Sequence, residues 1–489
     1  MLFRQIFDPK LAQYAYLIGC QQTKEALIID PERDIDRYVD LAEAEGLNIV
    51  GVAETHIHAD FLSGAREFAE RFDITLYLSD EGDEDWKYEW VRGTRGDGRP
   101  YDVTLLKDGH SFTIGNIEIQ AVHTPGHTPE HLSYLVTDRG GGATSPIGIA
   151  TGDFVFVGDL GRPDLLEQAA GMHGLQEPSA RMLYGSLPEF TKLQEHLQVW
   201  PGHGAGSTCG KALGAVPTTT VGYEKRYNAA LAVAEEGETA FVDAILAGQP
   251  EPQMYFARMK RDNKSGPPLL DGLPQPRKLT SSELSKMTQR DDVLIVDARI
   301  DRNAFMDRHI PGSLHAPMNK TFNTVVGSLV VDETTPLVLV LNQERAEEAV
   351  RDLVRIGYDN VVAFVDVATL QRYFADGGPS EHTDVIDFAD VEVLRKQTDT
   401  VSLDVRFASE YDEGHVPDAV NASYTRLPDY VADRVPRDKT LLVYCGSGAR
   451  SAAASAYLAR AGYDVKFVDG DFARYGEIGQ LEREEHVPA

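Results

Sequence analysis

The 489-residue sequence predicts an α/β protein, with a layered α/β domain followed by two smaller domains built on parallel sheets. Three observations carry this. Over residues 1–240, a polar cluster in a Gly- or Thr-flanked turn follows an apolar, strand-like run four times. Between 248 and 280, Pro250, Pro252, Pro267, Pro268, Pro274 and Pro276 crowd a stretch with little apolar periodicity, which marks a linker. Beyond it the sequence repeats. Val293-Leu-Ile-Val-Asp297-Ala-Arg299 returns as Val401-Ser-Leu-Asp404-Val-Arg406, and His309-Ile-Pro-Gly312 returns as His415-Val-Pro-Asp418. The expected boundaries are 1–245 for the first domain, 246–275 for the linker, and 276–380 and 384–489 for the repeats.

Composition narrows the function. Hydrophobic content of 42% and charged content of 25% are ordinary for a soluble globular protein. The formal net charge of −30 opposes nucleic-acid binding, which needs clustered Lys and Arg. No apolar run approaches the roughly 18 residues that span a membrane, and no basic stretch leads into a signal-like segment. Cys20, Cys209 and Cys445 are odd in number and far apart, so a reducing, cytoplasmic setting without a disulfide framework is expected.

Along the first domain, residues 14–20 and 26–30 read as paired strands, and residues 34–45 carry apolar residues at helical spacing. A strand then delivers Thr55-His56-Ile57-His58-Ala59-Asp60-Phe61. Residues 63–72 read as a helix with Ser63 as cap. Strands over 112–122 lead to Thr124-Pro125-Gly126-His127, where Pro-Gly turns the chain back and aims His127 toward the first loop. Residues 147–150 form a strand ending in Thr151-Gly152-Asp153. Val199-Trp200-Pro201-Gly202-His203 repeats the pattern. Imidazole and carboxylate together suit a borderline or hard divalent metal. His110, His123, His131 and His173 are read as structural or surface residues, and Cys20 as an inert core thiol.

The first loop resembles the His-x-His-x-Asp-His signature of the metallo-β-lactamase superfamily, with Phe61 standing where the last His is expected. The resemblance implies an αββα sandwich. In two-metal members that last His binds the second ion. A phenyl ring cannot, so one metal per chain is expected. The resemblance is nearest to persulfide dioxygenases, which implies one Fe(II) on His56, His127 and Asp153, with His58, Asp60 and His203 orienting ligands or water. Within Phe154-Val-Phe-Val-Gly-Asp159-Leu-Gly-Arg162-Pro-Asp164, Arg162 is a candidate for holding an anionic part of the substrate. Its alternative is an ion pair with Asp159 or Asp164. Cys209, just after the His203 loop, is a candidate sulfur relay.

Both repeats resemble rhodanese sulfurtransferase domains on their Asp-x-Arg and His-Ile/Val-Pro motifs. In the second, the apolar run Leu441-Leu-Val-Tyr444 ends in Cys445-Gly446-Ser447-Gly448-Ala449-Arg450. Loop amides and a helix N-terminus there favour a thiolate or a bound persulfide sulfur, Gly446 and Gly448 let the backbone curl, and Arg450 adds positive charge. Phosphatases of related fold use a loop one residue longer. The first repeat reads Leu337-Val-Leu-Val-Leu-Asn342-Gln-Glu-Arg345. It has no Cys and is expected to be catalytically silent.

The resemblance implies oxidation of a low-molecular-weight persulfide by O2 to sulfite and thiol. It also implies sulfane-sulfur transfer at Cys445 to or from sulfite and thiosulfate, in a homo-oligomer. The alternatives are a zinc-dependent, glyoxalase II-like thioester hydrolase with sulfurtransferase domains, and a persulfide carrier in which Cys445 only stores sulfur.

Overall fold

The computed structural model describes residues 1–165 and 174–483. The chain divides into two compact units: Met1–Gln249 together with Tyr255–Asp271, and Pro250–Met254 together with Gly272 onward.

The first unit holds two six-stranded mixed sheets. One joins β1 (Leu2–Asp8), β2 (Gln13–Gly19), β3 (Glu25–Ile29), β4 (Asn48–Ala53), β5 (Thr75–Ser79) and β6 (Val103–Leu106) in that order. The other joins β7 (Ser111–Ile114), β8 (Ile117–His123), β9 (Leu132–Asp138), β10 (Gly148–Gly152), β11 (Gln198–Pro201) and β12 (Thr219–Thr220). All seven residues of β2 are buried, and the two-residue alternation of a strand explains why. Ala15 and Leu17 face outward onto Tyr38 and Phe68 of the helices Asp36–Ala44 and Ala65–Arg71. Tyr14, Tyr16 and Ile18 face inward onto Ile117, Ile119, Ala121 and Trp200 of the second sheet. That sheet's other face, with Val122, Leu135 and Ile149, is covered by Leu183, Leu187 and Phe190 of the helix Gln176–Thr191. The layers are therefore helix, sheet, sheet, helix, the αββα sandwich.

One expectation needs revising. Ser63 precedes the helix Ala65–Arg71 by two residues, and its hydroxyl accepts the Ala65 N–H at 2.9 Å. The Pro-rich stretch contains a ten-residue helix, Phe256–Ser265, which buries Phe256, Met259 and Asn263 in the first unit.

The second unit holds two five-stranded parallel sheets of matching order. These are β13 (Arg277–Lys278), β17 (Val361–Val365), β16 (Leu337–Val340), β14 (Leu294–Asp297) and β15 (Leu314–His315), then β18 (Asp384–Ile386), β22 (Val465–Val468), β21 (Thr440–Tyr444), β19 (Thr400–Asp404) and β20 (Val420–Asn421). Apolar runs such as Leu337–Val340 are buried throughout, as parallel strands covered on both faces must be. Asp297 pairs with Val340 as Asp404 pairs with Tyr444. Leu341 thus occupies in the first repeat the place that Cys445 holds in the second.

Candidate functional site

The loops that follow β4, β8, β10 and β11 meet at one edge of the sandwich. Their local order begins at Asp30, after β3. Its Oδ1 accepts the Thr55 N–H at 2.7 Å and its Oδ2 accepts the Thr55 hydroxyl at 2.8 Å. The Thr55 hydroxyl has one proton and gives it to Asp30. The 2.9 Å contact between Thr55 Oγ1 and His56 Nδ1 is therefore donated by the imidazole, leaving the His56 Nε2 lone pair free of a proton. His127 is fixed the same way: Nδ1 lies 2.9 Å from the Arg162 carbonyl, which can only accept. Its Nε2 is 3.5 Å from Asp153 Oδ2. One ligand atom from each of His56, His127 and Asp153 lies within 4.8 Å of the others, and all three residues are buried. Burial, together with the neighbouring His58, holds His56 well below its ordinary pKa, and burial also lowers His127. Both imidazoles are neutral. Burial opposes charge on Asp153, but the adjacent His203 outweighs it and holds the carboxyl well below the usual range. Asp153 Oδ2 is buried and makes no hydrogen bond within the protein, a costly state for a carboxylate oxygen unless a cation meets it. Two neutral imidazoles and an ionised carboxylate oxygen without a protein partner fit a divalent metal.

His203 is placed to support that set. Its Nδ1 lies 2.8 Å from Asp153 Oδ1 and its Nε2 2.8 Å from Asp60 Oδ2. Burial penalises charge on this ring, yet Asp153 and Asp60 raise it well above its ordinary pKa. Both ring nitrogens of His203 are thus engaged with carboxylate oxygens. Cys209 offers its sulfur within 4.8 Å of ligand atoms of Asp60 and His203, but burial pushes its thiol up to about 12 and keeps it protonated. His58 lies on the far side of His56, with ring centroids 4.2 Å apart. Its Nε2 approaches Asp30 at 3.2 Å and Glu54 at 3.6 Å. Burial opposes its charging, but Asp30 and Glu54 bring its pKa up to about 9.

Of the two readings of Arg162, the geometry shows the ion pair with Asp164. Its guanidinium is fully buried and bidentate on Asp164, with Nε to Oδ1 at 2.9 Å and Nη2 to Oδ2 at 2.6 Å, while Nη1 donates to the Thr208 carbonyl at 3.0 Å. Arg162 is a strut whose own carbonyl orients His127.

Two further residues escape sequence reasoning. His131, read as structural or surface, accepts the Asp153 N–H on Nε2 at 3.1 Å and contacts Thr124 Oγ1 at 2.8 Å through Nδ1. Burial pushes it down to about 3, so it is neutral. Its spacing of four residues after His127 was the available signal. Asn263 has no sequence signal. Its amide donates to the carbonyls of His58 at 2.8 Å and Phe61 at 2.7 Å, and its oxygen accepts the Ser63 N–H at 2.9 Å. His173 lies outside the described residues.

In the second unit, Cys445 follows β21 and is buried. Its sulfur accepts from Gly448 N–H at 3.2 Å and Ser451 Oγ at 3.4 Å. Gly448, at φ +86°, is the N-cap of the helix Ala449–Arg460, so the helix N-terminus opens beside the sulfur. Ser447 is exposed at the loop tip, and the Gly446 carbonyl accepts the Phe472 N–H at 2.9 Å. Arg450 does not present a free charge. Both its Nη atoms bind the Glu410 carboxylate, Nη2 to Oε1 at 2.7 Å. Burial pushes the neighbouring Tyr424 up to about 12.

Residues 8–203 match the metallo-beta-lactamase superfamily, and residues 280–367 and 388–477 each match the rhodanese-like domain. The solved metallo-beta-lactamase from Staphylococcus aureus subsp. aureus COL is 37% identical, with 75% of this chain and 98% of that chain covered and a TM-score of 0.64. The chain belongs to the metallo-beta-lactamase superfamily. This superfamily member carries two rhodanese-like domains behind its metallo-beta-lactamase domain. Among its relatives, the mitochondrial persulfide dioxygenase ETHE1 of Bos taurus is 26% identical over 263 residues, 53% of this chain and 86% of that protein. The probable polyketide biosynthesis zinc-dependent hydrolase BaeB of Bacillus velezensis is 24% identical over 203 residues, 41% of this chain and 77% of that protein.

Proposed function

We propose that the protein disposes of persulfide sulfur at two sites. At the first, R–S–SH, O2 and H2O give R–SH, sulfite and two protons. His56, His127 and Asp153 are the residues that hold one Fe(II) per chain, which when bound supplies open positions for O2 and persulfide. The protein's own part is to present two imidazoles with their proton on the far nitrogen and to keep Asp153 ionised. At the second, the Cys445 thiolate attacks the sulfane sulfur of a persulfide. The S–S bond breaks, R–S⁻ leaves, and Cys445–S–SH forms. Sulfite then attacks the outer sulfur, the thiolate leaves, and thiosulfate is released. Gly448 N–H and the helix N-terminus stabilise the anionic sulfur in both steps.

The observation that carries this reading is the pairing of Phe61 with His203. Phe61 offers no ligand, and both nitrogens of His203 are spent on carboxylates. Among the described residues three groups bring potential ligands together, and in two of them His203 and His58 lie against carboxylates. His56, His127 and Asp153 are the set that keeps open positions, which favours an iron oxygenase over a two-zinc hydrolase. The likeness to a persulfide dioxygenase supports it. The likeness to a zinc-dependent hydrolase supports a second reading, thioester hydrolysis of the glyoxalase II type.

O2 uptake with glutathione persulfide separates the two, using protein loaded anaerobically with Fe(II) or Zn(II), as wild type and Cys445→Ser. Iron-dependent uptake in both proteins, with sulfite accumulating only in the mutant and thiosulfate in the wild type, is expected. Thioester hydrolysis by the zinc form, without uptake by the iron form, overturns the proposal.

A further inference from the structure

We propose that Arg302, in the repeat that lacks a thiol, is a positioning residue for Cys445 that holds the loop amide facing the sulfur. The inference rests on the proposed role of Cys445 as the sulfur carrier, and it concerns what the silent repeat does for that residue.

The two repeats pack together within the second unit, and the contact falls on the helix that starts at the Cys445 loop. Arg302 opens the helix Arg302–Asp307 of the silent repeat. Its Nη2 donates to Asp469 Oδ1 at 2.7 Å, linking the two repeats. That ion pair lies against Gly448. A Cβ placed there would sit 2.6 Å from Asp469 Oδ1 and 3.0 Å from both Cζ and Nη2 of Arg302. Gly448 is the residue whose N–H donates to Cys445 Sγ. Its left-handed backbone is thus walled in by a guanidinium from the other repeat.

The rest of the contact holds the wall in place. Phe305 and Met306, on the next turn after Arg302, are fully buried against Ala452 and Ala456 of the helix Ala449–Arg460 and against Phe467. The alanines let the two helices approach closely. At the far end of the longer helix, Arg460 Nη1 donates to the Gly312 carbonyl at 2.8 Å. The silent repeat therefore grips this helix at both ends, and only the Arg302 end touches the sulfur loop.

The sulfur chemistry makes the grip useful. A thiolate or a terminal persulfide sulfur is stabilised by donors whose orientation is fixed before reaction. Arg450 is neutralised by Glu410, so the loop depends on Gly448 N–H, Ser451 Oγ and the helix end. Among the described residues, the charged or titratable groups at this loop include Arg302 and Asp469 against Gly448, and Arg450, Glu410 and Tyr424 on the side of the thiol.

The test is the pH profile of Cys445 alkylation by iodoacetamide on the full chain, read by mass at the Cys445 peptide. Arg302→Ala is expected to raise the midpoint and slow alkylation at neutral pH about two- to five-fold. Arg302→Lys, which retains the charge and can reach Asp469, is expected to restore most of the rate. Arg460→Ala loosens the same interface away from the loop and is expected to lower Tm without moving the profile. Sulfur transfer by Arg302→Ala should fall in kcat rather than in KM. A wild-type profile in Arg302→Ala overturns the proposal, as does an equal shift in Arg460→Ala. Alkylation reads the thiol directly, so the result stands even if no persulfide is turned over, an outcome that would count against the proposed function alone.

Discussion

The ring of Phe61 lies on the ring of His58, with centroids 4.3 Å apart and planes 34° from parallel. An imidazole at this position would face His58, which with Asp30 and Glu54 already brings ligand atoms within 4.8 Å of one another. Phe61→His is expected to bind about two equivalents of zinc where the wild type binds one, read by elemental analysis. It should also lose roughly 2–4 kcal/mol of stability, because a fully buried phenyl is exchanged for a polar ring. One equivalent in both proteins would show that Phe61 does not limit the site.

Thr55 never touches the metal position, yet its hydroxyl decides which nitrogen of His56 keeps the proton. Thr55→Val keeps the shape and removes the relay. Metal affinity is expected to fall about 10- to 100-fold, with a stability cost of about 1–3 kcal/mol for the buried polar groups left unpaired. Competition with a chelator measures the first and denaturant titration the second. Unchanged metal affinity would mean that Asp30 and Thr55 serve the fold alone.

Arg162 and Asp164 form a pair that is 0% and 1% exposed in its side chains. Removing one partner strands the other charge, at a cost of about 3–5 kcal/mol. Arg162→Met and Asp164→Leu should each lower Tm sharply, and the double substitution should recover much of the loss. A substrate-binding role makes the opposite forecast: normal Tm in Arg162→Met with a raised KM for persulfide.

Glu130 gives a pH signature. Its Oε1 accepts the Ile57 N–H at 2.7 Å, and burial pushes its carboxyl from 4.5 up to about 7. The folded state thus holds a proton that the unfolded state has lost. Its contribution is full below pH 4.5, declines as pH rises, and is gone above about 7, a loss of about 3 kcal/mol across that window. The stability of wild type relative to Glu130→Gln should fall between pH 5 and 7 and level off above. Parallel curves would show that Glu130 is ionised in the folded protein.

The silent repeat offers a check on register. Leu341 stands where Cys445 stands, but its loop winds into a 3-10 turn at Gln343–Arg345, whose Arg345 fork binds Glu348 at 2.7 and 2.8 Å. Leu341→Cys should therefore give a thiol that alkylates no faster than a free cysteine. Reactivity matching Cys445 would mean that the strand end alone, and not the glycine loop, activates the sulfur.

What the sequence made legible follows from locality. His56, His127, Asp153 and His203 each sit just past an apolar strand, and a strand followed by a polar turn is written in adjacent residues. The repeat, its missing cysteine and the glycine loop at Cys445 are equally local. The partners were not legible. Arg162 could be read as an anion receptor until Asp164 was seen to fill its fork. Arg450 could be read as a free charge until Glu410, 40 positions away, was seen to cover it. His131 looked like any histidine, because its partner is a backbone N–H brought over by a different strand.

Asn263 ties three backbone groups of the His58–Ser63 loop from 200 or more positions downstream. During synthesis, the ends of β4, β8, β10 and β11 all leave the ribosome well before this amide does. The loop that presents His56 is thus left with open carbonyls until the Pro-rich stretch has emerged and docked. Capture of the ion becomes a late event in the birth of the chain, and a protein cut short at residue 245 would carry every ligand and still hold metal loosely.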